Sequence, residues 1–237
     1  MKVIIYYITL FIFLFISCKQ NKHLAEYKNV DINRVNLLLD SINNSIKNEV
    51  MEYSDSIIKS LDFKHLPAKI TGTLYIPERE ESECLDTADF FYLIKTIENR
   101  NIEEYLYSFE RRSCSERFDY TPYALYMATV TNNAEVSLSV YESLFSINQS
   151  KRKNVKIIDD DISLDELTEK QRNLALYYLI RSYKLGEKKR TLIFLSYYFE
   201  EGLYFFPKDL SIAYKLESIL LKDDGMDYWP GTDIKIE

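Results

Sequence analysis

The chain has 237 residues, a formal net charge of −7 and only two histidines. An acidic chain offers no electrostatic footprint for a phosphate backbone, so nucleic acid is excluded as an expected partner. Five glycines and five prolines are too few for the many tight turns of a sandwich or barrel. The composition therefore predicts an all-α protein with one sizeable core or two small ones.

The N-terminus begins with Lys2 and an apolar run over Val3–Ile16. That run is shorter than the roughly 20 residues that a helix needs to span a bilayer. A positive start, a short apolar segment and a small residue are typical of a secretory signal. The residues "LFISC", which end in Ser17 and Cys18, resemble the lipobox of bacterial lipoproteins. A cleaved signal with an incidental cysteine is the alternative.

The lipobox resemblance implies that residues 1–17 are removed as a signal peptide and that Cys18 is acylated, by diacylglyceryl and palmitate-type chains. Such chains gain about 0.8 kcal/mol per buried methylene and hold a protein on a membrane without a spanning helix. Lys19 stands where an aspartate retains related lipoproteins on the inner membrane. The resemblance therefore favours the cell envelope, with the protein lipid-anchored at the outer membrane and facing either the periplasm or the cell surface. Residues 18–30 are predicted to form a polar tether.

Residues 31–63 are predicted to form one long amphipathic helix, because apolar residues recur at spacings of three and four. They are Ile32, Val35, Leu38, Ile42, Ile46, Val50, Tyr53, Ile57 and Leu61. This stripe either packs on the body of the protein or pairs with a second copy in a homodimer. Residues 64–85 contain two prolines and Gly72, which predicts a linker or a small hairpin arm.

Residues 86–222 are predicted to form a domain of paired helices. The first pair lies on either side of Asn101 and is flanked by Cys84 and Cys114. Because a helical hairpin returns its end to its start, the two thiols can meet in a disulfide, which suits an exported chain. Two buried free thiols are the alternative. The spacing of cysteines and histidines fits no metal site.

Further pairs follow along the chain. One pair is joined across Asn132, and after a charged loop over residues 148–163 another helix is expected to end at Gly186. In the last pair, Gly202 ends the first helix and the Pro207–Asp209 turn begins the second. Residues 223–237 are predicted to form a C-terminal tail.

The last pair carries a family resemblance. Leu195, Tyr198, Gly202 and the "PKDLSIA" of Pro207–Ala213 resemble the Sel-like subclass of tetratricopeptide repeats. One degenerate repeat covers Lys184–Lys222. The resemblance implies antiparallel helical pairs stacked as a short solenoid, in which small residues allow close helix packing. The candidates for such positions are Ala124, Ala128 and Ala175.

Motifs for catalysis or metal binding are missing from the sequence, which contains no phosphate-binding glycine loop, HExxH or GxSxG. The acidic series that begins at Asp159 has Leu164 and Lys170 where a calcium loop needs glycine and glutamate. Ser163 or Asp165 is instead expected to cap the next helix. The chain is therefore predicted to be no enzyme and to need no cofactor.

The chain contains twenty tyrosines, and tyrosine is a residue that can serve both a core and an interface. The sequence favours a lipid-anchored envelope protein that binds a protein partner through a helical-repeat surface; an immunity lipoprotein that neutralises a toxin is one specific form. The alternative is an enzymatic or small-molecule-binding lipoprotein with a cleft between helices. The predicted partner-binding residues are Tyr123, Tyr126, Tyr178, Tyr197 and Tyr204.

Overall fold

The structure is a computed structural model that describes residues 30–61, 87–110, 120–151 and 162–224. These residues form eight α-helices and no strand, which confirms the all-α prediction for the described part of the chain. The helices are α1 (Ile32–Lys59), α2 (Thr87–Glu98), α3 (Ile102–Glu110), α4 (Thr121–Thr131), α5 (Ala134–Lys151), α6 (Glu169–Leu185), α7 (Lys189–Glu201) and α8 (Leu210–Asp224).

The described residues divide into two compact units. The first unit contains residues 30–38 and 192–224, and the second contains the described residues between 39 and 191. Helices α1 and α7 each contribute to both units. The predicted boundaries at residues 63 and 85 lie outside the described residues, and so does the predicted linker between them.

The long helix α1 forms as predicted, and the Asp31 side chain caps it by accepting a hydrogen bond from the Asn33 backbone N–H at 2.9 Å. The side chains of its inner face are buried within the chain, as expected for packing on the body of the protein. Most of the predicted stripe is buried, and one position that differs is Leu39, which is fully buried in place of Leu38. Ser54 takes the inner position expected for its neighbour Tyr53.

Two polar contacts in the second unit join α1 to α6. The Asn173 side-chain amide donates to Glu49 Oε2 at 3.0 Å, and the Lys184 ammonium pairs with the Asp40 carboxylate. Along this contact α1 and α6 run antiparallel, because the earlier residue of α1 meets the later residue of α6.

The first predicted helical pair is confirmed as a hairpin of α2 and α3, which contact each other across a three-residue turn. Arg100 in this turn has a positive φ of 50°, and the Asn101 side chain accepts a hydrogen bond from the Glu104 N–H at 3.2 Å. The second pair, α4 and α5, is also confirmed, and Asn132 between the helices adopts a left-handed conformation. The turn residues of both pairs therefore act as the local sequence predicts.

Helix α5 contacts α3, α4 and α6 and so lies at the centre of the second unit. The three alanines predicted as close-packing positions, Ala124, Ala128 and Ala175, are fully buried in α4 and α6. A methyl side chain lets neighbouring helix backbones approach more closely than a larger residue would.

The two ends of α6 differ in how well they were predicted. Gly186 ends the helix as expected, with φ at 110° and its N–H donating to the Tyr183 carbonyl at 3.1 Å. The predicted cap at Ser163 or Asp165 is wrong: Thr168 caps the helix in a capping box with Gln171. The Ser163 hydroxyl donates instead to the Asp165 carboxylate at 3.1 Å.

The last predicted turn is confirmed in the first unit, where α7 ends at Gly202 with φ at 69° and α8 begins at Leu210. Asp209 begins α8, since its Oδ1 accepts hydrogen bonds from the backbone N–H groups of Ser211 and Ile212 at 3.0 and 3.1 Å. Phe206, in the turn, is buried with its ring centroid 5.1 Å from that of Phe199. This ring holds the turn against α7 by aromatic packing.

No helix within the described residues is both long enough and apolar enough to cross a membrane.

Candidate functional site

Three large aromatic side chains are exposed on the α2–α3 hairpin. They are Phe91, Tyr92 and Tyr107, with 55%, 42% and 57% of their surfaces accessible to solvent. We call them the hairpin aromatics. Exposed aromatic side chains of this size are a common mark of a protein interaction site.

The exposure of the hairpin aromatics follows from the helical period. In α2 the inner face consists of the buried residues Leu93, Ile94, Thr96 and Ile97, so Phe91 and Tyr92 fall outside it. In α3 the side chains of Tyr105, Ser108 and Phe109 are buried. Tyr107 lies between Tyr105 and Ser108 in the sequence, but its side chain is on the outer face of the helix. Packing of both helices thus leaves the three rings about half exposed.

Charged side chains surround the hairpin aromatics. Glu103 and Glu104 precede Tyr107 by four and three residues and are exposed on the same side of α3. On α2, Lys95 follows Phe91 and Tyr92 by four and three residues and is also exposed. Aromatic rings beside carboxylates can receive a cationic side chain, because the ring face and the carboxylate both attract positive charge.

Buried hydrogen bonds hold the inner side of α3 in place. The Tyr105 hydroxyl lies 3.0 Å from Ser139 Oγ of α5, and the Ser108 hydroxyl lies 3.0 Å from the Tyr120 hydroxyl. Burial raises the pKa of Tyr105 above its ordinary value, so this phenol stays protonated. The Phe109 and Tyr120 rings meet edge to face at 5.8 Å. The helix that carries Tyr107 is therefore held by specific contacts on its inner side.

The structure separates the five tyrosines predicted to bind a partner. Tyr123 and Tyr178 are buried in the core of the second unit, so neither presents a surface to a partner. Tyr126, Tyr197 and Tyr204 are partly buried. For these three the partner-binding role stays a prediction, and none of the five belongs to the hairpin aromatics.

Tyr178 shows why a tyrosine-rich segment need not form an interface. Its ring packs edge to face on Tyr177 at 5.3 Å, and the Arg181 guanidinium lies 5.7 Å from its centroid. Arg181 also donates to the Ala128 carbonyl at 3.1 Å and to the Asn132 side chain at 2.8 Å, at the end of α4. Burial raises the pKa of Tyr178. These residues join α6 to α4 and have a structural role.

The sequence did contain a signal for the hairpin aromatics. In "FFYLIKTI" the apolar residues Leu93, Ile94 and Ile97 lie on one face of the helix. At the helical period, Phe91 and Tyr92 then fall on a different face. The number of tyrosines does not reveal this signal, because it leaves out phenylalanine and does not show which face of a helix each ring occupies.

Among the carboxyl groups of the described residues, Glu217 on α8 has the most strongly shifted pKa. Burial, followed by the nearby charge of Glu200, raises its pKa from 4.5 to about 7. Both residues belong to the first unit. Within the described residues no group of three or more histidine, cysteine or acidic side chains is arranged to hold a metal ion.

Cys18, Cys84 and Cys114 lie outside the described residues. Acylation of Cys18 and the disulfide between the other two therefore stay predictions from the sequence.

Comparison with known proteins finds no relative of this chain. The chain matches no model of a protein family, no curated protein and no solved structure. A functional conclusion for this chain therefore rests on its own residues and on their geometry.

Proposed function

We propose that this chain is a lipid-anchored protein of the bacterial envelope that binds a protein partner through the hairpin aromatics. The observation that carries the proposal is the exposure of Phe91, Tyr92 and Tyr107 on one helical hairpin. A few aromatic residues commonly provide most of the free energy of a protein interface. Tyrosine suits such a surface because it buries a large area and keeps a hydroxyl for water or for a partner.

The helix that carries Tyr107 has a second property of a good binding surface, which is support from a packed interior. Backbone that is already held in place does not have to be ordered on binding, so more of the contact energy contributes to affinity. The bonds from Tyr105 to Ser139 and from Ser108 to Tyr120 supply this support beneath α3.

Charge favours a basic partner. The chain has a formal net charge of −7, and Glu103 and Glu104 flank Tyr107. Complementary charge accelerates encounter and selects among partners, although it contributes less to affinity than the aromatic core does. A basic toxin neutralised by an immunity-type lipoprotein is one partner of this kind.

A short Sel-like solenoid is the architecture we propose for the helices. Contacts between α2 and α3, between α4 and α5, and between α5 and α6 join neighbours in sequence, while α3 also contacts α5. Stacked helical pairs make such contacts between neighbours and next neighbours. The buried Ala124, Ala128 and Ala175 fit the small positions of this repeat type.

The membrane attachment in this proposal depends on Cys18. The residues "LFISC" support its acylation, and Lys19 supports delivery to the outer membrane. The partner would then meet the protein at the envelope.

A crosslinking capture from the native envelope tests the partner. A photoreactive side chain at position 107 is expected to capture one stoichiometric protein, and the Phe91→Ser/Tyr107→Ser variant is expected to bind it at least about tenfold more weakly. Leu185→Ser is the matched control, since it removes an exposed apolar side chain of α6 that belongs to neither surface.

The proposal fails if the Phe91→Ser/Tyr107→Ser variant binds the captured protein as tightly as the unmodified chain does. Circular dichroism and thermal unfolding of each variant separate a lost contact from a lost fold. Because all the substituted residues are exposed, we expect unfolding midpoints close to that of the unmodified chain.

A further inference from the structure

A second group of exposed apolar side chains lies in the first unit. It consists of Leu37, Phe205 and Leu210, which are 70%, 42% and 38% exposed. We call these residues the Leu37 patch. They come from α1, from the turn after α7 and from the first residue of α8.

An ion pair joins α1 to the start of α8. The Arg34 guanidinium lies 3.3 Å from the Asp209 carboxylate. Leu37 follows Arg34 by three residues on the same side of α1, and Leu210 follows Asp209 directly. Leu37 and Leu210 therefore both lie next to the Arg34–Asp209 ion pair.

The fold of the turn places Phe205 at the surface. The Phe206 N–H donates to the Leu203 carbonyl at 3.0 Å, and the Asp209 N–H donates to the Phe199 carbonyl at 2.8 Å. With the backbone held in this way, the Phe206 ring is buried against α7, whereas Phe205 is exposed. The exposure of Phe205 is thus a consequence of the turn geometry and of Phe206 packing.

The position of the Leu37 patch along the chain points to its partner. Cys18 and Val30 are twelve residues apart, and a fully extended chain of that length spans about 40 Å at most. Helix α1 begins two residues after Val30, and Leu37 lies in its second turn. An acyl anchor at Cys18 therefore keeps the start of α1, and with it Leu37, within reach of the lipid surface.

We propose that the Leu37 patch docks on the lipid surface into which the Cys18 acyl chains insert; this inference rests on the lipid anchor of the proposed function. Leucine and phenylalanine are favourable at the boundary between headgroups and acyl chains. The exposed Lys208 provides positive charge beside the patch for anionic headgroups, whereas the charge of Arg34 is balanced by Asp209. Docking orients the first unit on the membrane, whereas the acyl chains retain the protein there.

Fluorescence of a single tryptophan tests the docking. The lipidated full chain carries Trp229→Phe and Phe205→Trp and is reconstituted into vesicles of phosphatidylethanolamine and phosphatidylglycerol. Brominated acyl chains are expected to quench this tryptophan at least about twofold more than a reference tryptophan introduced by Tyr107→Trp in the same Trp229→Phe background. Adding Leu37→Ser and Leu210→Ser is expected to reduce the quenching at position 205 toward the reference.

Vesicle flotation separates failure of the anchor from failure of the docking. If the lipidated chain floats with vesicles and Cys18→Ala does not, the anchor is established. Equal quenching of the two tryptophans in the floating protein then overturns docking of the patch and leaves the partner-binding proposal intact. If the unmodified chain does not float, the lipid anchor of the proposed function fails, and the docking inference fails with it.

A second copy of the chain on the patch has a different signature. The tryptophan at position 205 would then be shielded from aqueous acrylamide and from brominated lipid alike, and Leu37→Ser would dissociate a dimer seen by light scattering of the detergent-solubilised protein. That result also overturns docking on lipid. Circular dichroism of each variant shows that the helices are retained.

Discussion

Among the residues that the structure describes, Gly202 is the glycine whose backbone geometry and surroundings leave the least room for a side chain. Its φ is 69°, and a Cβ added there would lie 2.7 Å from Lys208 Cβ and 3.0 Å from the Lys208 backbone nitrogen. Glycine removes both the conformational strain and the steric overlap. The α7–α8 turn can therefore fold back closely on the end of α7.

We predict that Gly202→Ala lowers the free energy of unfolding by about 2 to 4 kcal/mol, because the added methyl group strains φ and overlaps a backbone that must move. Gly186→Ala is the control, since Gly186 has a positive φ of 110° but no atom within 4 Å of an added Cβ. Its expected cost is about 1 to 2 kcal/mol. Urea unfolding monitored by circular dichroism measures both. A cost at Gly202 no greater than that at Gly186 would show that the turn relaxes freely.

Glu217 links the stability of the fold to pH. Its pKa rises from 4.5 to about 7 because burial, and then the Glu200 charge, disfavour the carboxylate. Between these two pH values the folded protein keeps a proton that the unfolded chain has released. The contribution of this group to stability is therefore fully present below pH 4.5 and is lost as the pH rises through about 7.

We predict that Glu217→Gln makes the protein more stable than the unmodified chain at alkaline pH, by about 1 to 2 kcal/mol, since the partly solvated carboxylate no longer has to ionise in the folded state. At pH 4 the two proteins should differ little. Unfolding in urea across this pH range tests the sign. Glu200→Gln is expected to have a smaller effect, because burial is the larger cause. Equal pH dependence of Glu217→Gln and the unmodified chain would contradict the assignment.

At the scale of elements, α3 and α5 are joined by a buried hydroxyl pair. Tyr105 and Ser139 lie 3.0 Å apart, and Ser139 also donates to the Val136 carbonyl at 2.8 Å. Both residues are buried. A buried hydroxyl without a partner costs more than removal of both partners together, so this pair specifies how the two helices meet.

A double-mutant cycle tests that pair. Ser139→Ala leaves the Tyr105 hydroxyl without its partner and is expected to cost about 1 to 3 kcal/mol. In a Tyr105→Phe background the same substitution should cost about 1 kcal/mol less, because no phenol remains to be satisfied. Urea unfolding gives each free energy. Additive effects would show that the hydroxyl pair does not couple α3 to α5.

Helix ends illustrate the difference between local and distant causes at this scale. Gly186, Gly202 and Asn132 were predicted as helix ends because their backbone preferences act within a few residues. Thr168 was missed as the cap of α6, although Gln171 follows it at the spacing of a capping box. Several capping residues compete in this acidic segment, and the structure selects one of them.

At the scale of the whole molecule, the proposed membrane attachment depends on Cys18, which precedes the first described helix. We predict that Cys18→Ala releases the protein from the membrane fraction and abolishes palmitate labelling, because the thiol that accepts the lipid is gone. The unfolding midpoint of the helices should not change. Cys84→Ser is the control and should keep both the label and the membrane fraction. Labelling that persists in Cys18→Ala would exclude this residue as the lipid site.

The sequence by itself determined the helical class, most helix ends and the pairing of neighbouring helices. These features depend on local causes, namely apolar residues at helical spacing, the conformational freedom of glycine and the hydrogen-bonding side chains of turns. That is why α1, the α2–α3 hairpin and the α7–α8 turn agree with their predictions.

Only the tertiary structure decided which aromatic rings face solvent. Tyr123 and Tyr178 are buried, whereas Phe91 and Tyr107 are exposed, although all four occur in helices that combine aromatic and aliphatic residues. A helical period gives the relative directions of side chains, but which direction is the interior depends on helices that are distant in sequence. The candidate surfaces for a partner and for lipid therefore emerge only when those helices are packed.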